Sequence, residues 1–420
     1  MKEEYLHYLW KTKNIPHQNL TLTDGRPITV TAFGIHNHDS GPDFSNGKIT
    51  IDGITWIGNI EMHINASDWY LHKHQQDPAY ENVVLHVVYN FDKSVYINEE
   101  EIPTLELKKY ISKIQIDQVA KMLTNSKWIP CYDAIKTIDK LHVQSQIETS
   151  LFQRLERKSQ SIFERFKEVN FDLNQLISEQ LAAIIGTNVN RIPMLELVRK
   201  IPFNTFFKES KKVVEAILLD VANLLPEHSE EDYIRKLKET GVFYRNKYNL
   251  NSMNAASWKF FGMRTAGFPT FRIAQFSSIC SEQKFFDFLI MPLEEWLHWF
   301  EHENFSIDAF WETHYHFKKE TKKHNLCLSK NTKSLILINV VAPMLYFWGI
   351  YQHQEIFTEK ALELLENIPM EENSIIKNWK ELGLYVNSAK DSQGLLELKN
   401  EFCAKKKCLS CKIGHQVLKQ

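Results

Sequence analysis

The stretch KITIDGITWIGNIEMHI at 48–64 leaves the first hundred residues of this chain little freedom. Lys48 to Ile51 alternates polar and apolar positions, and Ile54 to Ile64 takes the alternation up again. Asp52-Gly53 between them is the strongest short hairpin signal, because both residues tolerate the left-handed backbone of a two-residue turn. ITVTAFGI at 28–35 reads as a strand before the hairpin. VVLHVVYNF at 83–91 and IPTLELKKYI at 102–111 read as strands after it, with a short helix expected over 5–14.

From about residue 140 the period changes. Ile147, Leu151, Leu155, Ile162, Phe163 and Phe166 fall at helical spacing, and QLISEQLAAIIG and KVVEAILLDVANLL continue it. The expected fold class is therefore α+β: a small mixed-sheet domain over 1–125, then a large mainly helical domain over 126–420 ending in a cysteine tail. TNSKWIPCYD at 124–133 is the expected junction. LILINVVAPMLYFWGIY at 335–351 is short for a membrane span and contains Asn339 and Pro343, so it reads as a buried helix. Fifty basic against 52 acidic residues exclude a global basic field. The first ten residues, MKEEYLHYLW, do not read as a secretory leader, and six cysteines in 420 residues make no secreted disulfide framework. A cytoplasmic protein with no membrane partner is expected.

The segment 56–88 gathers four histidines around the second hairpin strand. Residues two apart on a strand share a face, so Glu61 and His63 project together. Asp43, in GPDF, precedes the neighbouring strand. Such carboxylates suit Mg²⁺ or Mn²⁺, with the adjacent basic group orienting water. Trp69, His72, His74 and Asp77 follow as expected substrate contacts. A second chemistry stays open, a zinc hydrolase drawing on His36, His38, His72, His74 and Asp77. Plainer roles stand beside these: Ser67, Asp68 and Asp77 as helix caps, Asp43 as a turn residue, His86 as a hydrogen-bonded core histidine. Glu61 favours function, since a carboxylate among apolar strand residues is costly unless paired, metal-bound or open to water.

Asp43, Glu61 and His63 resemble the PD-(D/E)XK nuclease signature. The resemblance implies that Asp43 and Glu61 bind the metal, that His63 stands where lysine is usual, and that His86 is an auxiliary catalytic group. It implies phosphodiester hydrolysis on DNA or RNA. Histidine in the lysine position puts catalysis in doubt and keeps open an inactive nucleic-acid-binding or scaffold protein. Over most of its length the chain also resembles an uncharacterised bacterial family, common in Bacteroidetes, through GPDF, the 56–88 segment, WIPC, WKFFGMRTAGFPTFRIAQ, INVVAPMLYFWG and the cysteine tail.

Arg264 and Arg272, interleaved with Phe260, Phe261, Phe268 and Phe271, suit phosphate contact; the plainer alternative is core aromatics with paired arginines. Arg154, Arg157 and Lys158 read as a solvated helix face. Cys403-x4-Cys408-x2-Cys411 has the spacing of a zinc or iron–sulfur site, with Cys131 or His415 as the fourth ligand. Cys280 and Cys327 read as plain buried thiols.

Overall fold

The computed structural model describes the chain except residues 1, 17, 38–39, 112, 282–286, 288, 303–306 and 420, and the side chains of 113–115. The fold is α+β, and the chain divides into two compact units: Met1–Gln146 with Leu398–Gln420, and Ile147–Glu397. This differs from a simple division near 125. The tail, expected with the helical domain, groups with the N-terminal sheet.

In the first unit, α1 (Glu3–Lys11) precedes β1 (Leu20–Thr21), β2 (Pro27–Ala32), β3 (Ile35–His36), β4 (Phe44–Ile51) and β5 (Ile54–Asn65). A short α2 (Asp68–Leu71) leads through two 3₁₀ turns to β6 (Val83–Asn90). The small pair β7 (Tyr96–Ile97) and β8 (Glu100–Glu101) comes next, then β9 (Thr104–Glu106) and α3 (Lys113–Thr124). The sheet order is β1-β2-β4-β5-β6-β9, with β3 also on β4. β2, β4 and β5 are antiparallel, whereas β6 is parallel to β5 and β9 parallel to β6. The hairpin forms as its turn residues dictate: Asp52 and Gly53 have φ of 50° and 79°, and Ile51 faces Ile54.

The strand expected over 102–111 is much shorter. Only 104–106 pairs, and Leu107–Lys109 forms a 3₁₀ turn. One face of the sheet (Ile60, Met62, Leu85, Val87, Leu105) packs with Leu6, Leu9 and Trp10 of α1 in a single apolar core. Alternation sends Glu61, His63 and His86 to the opposite face. There Trp69, Tyr80, Val83, Val95 and Ile102 form a second, smaller core.

The second unit is helical around one large core. Lys330–Gln352 is long and apolar enough to cross a membrane by length and composition, and 67% of its most apolar window is buried. Its ladder widens to a π turn over Leu337–Val341, just before Pro343, which has no amide to donate. Arg157 is exposed as expected, but Arg154 and Lys158 are drawn in from the expected solvated face. Arg154 and Arg157 reach buried Glu397 at 3.5 and 2.6 Å, and Lys158 donates to Asn339 Oδ1 at 2.9 Å. Periodicity could not show this, because the acidic partner lies at the far end of the unit's sequence.

Candidate metal centre

The β4–β5 register places Phe44 opposite Ile60, so Asp43 arrives beside Glu61 at the open end of the pair. Two hydrogen bonds lock them. The Asp43 amide donates to Glu61 Oε2 (3.0 Å), and the Met62 amide donates to Asp43 Oδ2 (3.0 Å). Glu61 is 5% exposed, which is where an unmatched carboxylate is most expensive. Its other oxygen, Oε1, faces imidazoles: His74 Nε2 at 3.3 Å and His63 Nε2 at 3.7 Å. His63 Nε2 in turn lies 3.1 Å from His72 Nδ1.

These spacings would also suit donor atoms around one shared ion. Bonds of 2.0–2.1 Å in a tetrahedral site put neighbouring donors about 3.3 Å apart. One nitrogen from each of His63, His72 and His74 lies within 4.8 Å of the others. His63 is held from behind, its Nδ1 2.8 Å from Nε2 of the fully buried His86. When His63 Nδ1 donates to His86, the His63 Nε2 lone pair turns toward Glu61, which is the tautomer a metal ligand needs. His74 stacks on Tyr80 at 3.9 Å between ring centroids, and Trp69, fully buried, stands edge-on to His63, His74 and Tyr80.

A second group of donors adjoins Asp43. His7 Nε2 lies 3.2 Å from Asp43 Oδ2 and 3.9 Å from Glu3 Oε1, one helical turn away on α1. Sequence reading missed Glu3 and His7; the only signal was their i, i+4 spacing within an otherwise aromatic helix. The electrostatics are those of a crowded polar pocket. Burial raises the Glu61 carboxyl, opposed by His74 and reinforced by the Asp43 charge. Burial and the neighbouring imidazoles push His63 down to about 2, and burial takes His86 to about 3. Burial alone would lower His7, but the Asp43 carboxylate carries it upward.

The residues expected at the site thus divide. Asp43, Glu61, His63, His72, His74, His86 and Trp69 come together. Asp77 is exposed and caps the 3₁₀ turn Pro78–Tyr80 by accepting from the Ala79 amide (2.9 Å). Ser67 makes no cap bond; its hydroxyl bonds Asp92 (2.7 Å). His36 rests against Phe44 and His7, while His38 lies outside the described residues. Arg264 and Arg272 belong to the helical unit. Arg264 is exposed, and Arg272 donates to Gln275 on its own helix (3.0 Å). Phe271 is core, but Phe261 is 99% exposed.

Cys131, Cys403, Cys408 and Cys411 line one small pocket of the first unit. His415 is engaged elsewhere, its Nε2 2.6 Å from the Leu409 carbonyl oxygen and its ring against Tyr8. Comparison with curated proteins and with solved structures gives no match. A family model for proteins of unknown function matches residues 3–374, a span that includes the histidine cluster and Cys131 but ends before the other three cysteines. The chain belongs to this family, DUF2851, whose members share a domain of unknown function.

Proposed function

We propose that the first unit is a metal-dependent phosphodiester hydrolase acting on nucleic acid. The observation that carries this reading is the meeting of Asp43, Glu61 and His63 on a β4–β5 meander that continues through α2 into parallel β6. The order of helix, antiparallel strands, short helix and parallel strand supports a PD-(D/E)XK-like reading. The histidines add to that pattern instead of merely replacing its lysine. His63, His72 and His74, with Glu61, make a nitrogen-rich set suited to Zn²⁺ or Mn²⁺, while Glu3, His7 and Asp43 offer a mixed set beside it.

A cation held there would supply Lewis acidity and a bound water of lowered pKa. The chain's own groups do the rest. Asp43 is fixed by the Met62 amide, so its remaining oxygen is pre-aimed. His86 orients His63. His7, partly exposed and beside Asp43, is the group able to take or give a proton at the edge of the site. Trp69 and Tyr80 wall out water on one side. None of the six cysteines is joined in a disulfide, which suits a reducing, cytoplasmic setting.

A second reading, a zinc-dependent hydrolase of a small phosphate or acyl substrate, is favoured by the imidazole majority among the ligands. The test is cleavage of single- and double-stranded DNA and RNA, beside small ester substrates, with Mg²⁺, Mn²⁺ or Zn²⁺ added in turn. Metal-dependent nuclease activity lost in Glu61→Gln supports the proposal. Activity on small esters alone moves the assignment to the second reading. Saturable nucleic-acid binding without cleavage under any metal leaves the inactive binding protein.

A further inference from the structure

Four of the six cysteines converge although Cys131 and the other three come from distant parts of the chain. Cys408 and Cys411 are buried at 7% and 6% exposure, and Cys131 and Cys403 are half-buried. The backbone around them is arranged closely. A tight turn joins Cys408 to Cys411, whose amide donates back to the Cys408 carbonyl (3.2 Å). Gly414 is obligatory there, since a Cβ would stand 2.1 Å from the Cys408 carbonyl oxygen. The amides of Ile413 and Gly414 approach the Cys411 sulfur. On the other side, Cys131 opens a turn whose Ala134 and Ile135 amides both donate to its carbonyl (3.1 and 2.9 Å).

Lysines lie near the pocket. Lys407 lines it, while Lys399 and Lys406 donate to the carbonyls of Trp128 and Leu123, on the segment that leads to Cys131. Four cysteines on one small pocket, with lysines nearby, are the residue set a thiophilic cation takes.

We infer that Cys131, Cys403, Cys408 and Cys411 form a tetrathiolate metal centre, holding a zinc ion or an iron–sulfur cluster, that fastens the C-terminal tail to the sheet unit. The centre is separate from the histidine–carboxylate site and does not depend on its chemistry. Its mechanical effect reaches α1: Leu409 and Leu418 of the tail pack against the core that includes α1, and His415 rests on Tyr8, the residue after His7. The ion closes a very long chain loop, the case in which a cross-link removes most entropy from the unfolded state.

The experiment is elemental analysis and visible absorption of the full chain purified anaerobically, with alkylation of its thiols before and after chelation. About one zinc per chain, or about four irons with broad visible absorption, is expected in wild type. Cys131, Cys403, Cys408 and Cys411 should resist alkylation until the metal is removed, whereas Cys280, fully buried, is shielded in either state. Cys408→Ser should lose that metal, and Glu61→Gln should keep it, which separates this centre from the proposed hydrolytic site. Should Cys408→Ser fail to fold, wild-type metal content and thiol protection still decide. Metal-free wild-type protein with four freely alkylated thiols, or with two disulfides among these cysteines, overturns the inference.

Discussion

Glu61 Oε1 lies 3.3 Å from His74 Nε2, a pairing made between β5 and the segment that leaves the sheet after it and returns as β6. The carboxylate is buried, and burial raises its pKa, so the metal-free fold disfavours its ionised form. Removing that charge should therefore stabilise the metal-free protein. Glu61→Gln, which can still accept from the Asp43 amide, is expected to raise unfolding stability at pH 7. The same variant should lose metal binding. Chemical denaturation with and without added Zn²⁺ checks both halves; a destabilised metal-free variant would mean that Glu61 is there for folding.

The histidines predict an acid-sensitive fold. His63 and His86 have folded pKa values far below the ordinary imidazole value. Between about pH 6.5 and pH 3 the unfolded chain holds protons that the folded chain does not. Stability is therefore full above that window and falls as pH drops through it, by up to about 1.4 kcal/mol per pH unit for each imidazole. His86→Phe should make the fall shallower. Urea midpoints measured from pH 7.5 to 4 read the slope, and identical slopes in the two proteins would contradict the burial-based account.

Lysine at 63 would restore the more usual nuclease pattern on paper, yet the surroundings argue against a gain. His63 is 1% exposed, with its two nitrogens engaged by His86 and His72. An ammonium there loses both partners and meets a site built for neutral rings. His63→Lys is expected to destabilise the protein by roughly 2–4 kcal/mol and to leave any Mg²⁺-dependent cleavage no higher than wild type. Thermal unfolding beside a cleavage assay decides, and cleavage above wild type would show that position 63 is a decayed lysine site.

The parallel β5–β6 pair depends on a glycine. A Cβ at Gly58 would lie 2.4 Å from Val84 Cγ1 and 2.7 Å from the Asn82 carbonyl oxygen. Gly58→Ala should cost about 1–3 kcal/mol by overpacking. It should also weaken metal affinity, because Glu61 and His63 sit on the displaced strand. Unchanged zinc affinity by titration calorimetry would show that the site tolerates a shift of that strand.

Some of this was open to reading from sequence and some was not, for physical reasons. The hairpin was legible because Asp52-Gly53 encodes its backbone angles directly, and Glu61-x-His63 because strand alternation is local. β9 was overread, since two lysines after Leu107 end the pairing and only the sheet could show where. His7 and Glu3 were hidden because their role arises when α1 crosses the end of the sheet, a contact no local period reports. The return of the cysteine tail to Cys131 was open only as a choice between two fourth ligands. The structure places Cys131 with the other three sulfurs and turns His415 to Leu409.

The central claim is that Glu61 and the imidazoles of His63, His72 and His74 hold a metal used for hydrolysis. The most direct measurement is cleavage of labelled DNA and RNA by stripped protein, with Mg²⁺, Mn²⁺ and Zn²⁺ restored one at a time, wild type against Glu61→Gln and His74→Ala. The account predicts cleavage only with metal, loss in Glu61→Gln, and at least a tenfold weaker metal requirement curve in His74→Ala. Full metal-dependent cleavage by Glu61→Gln would contradict it.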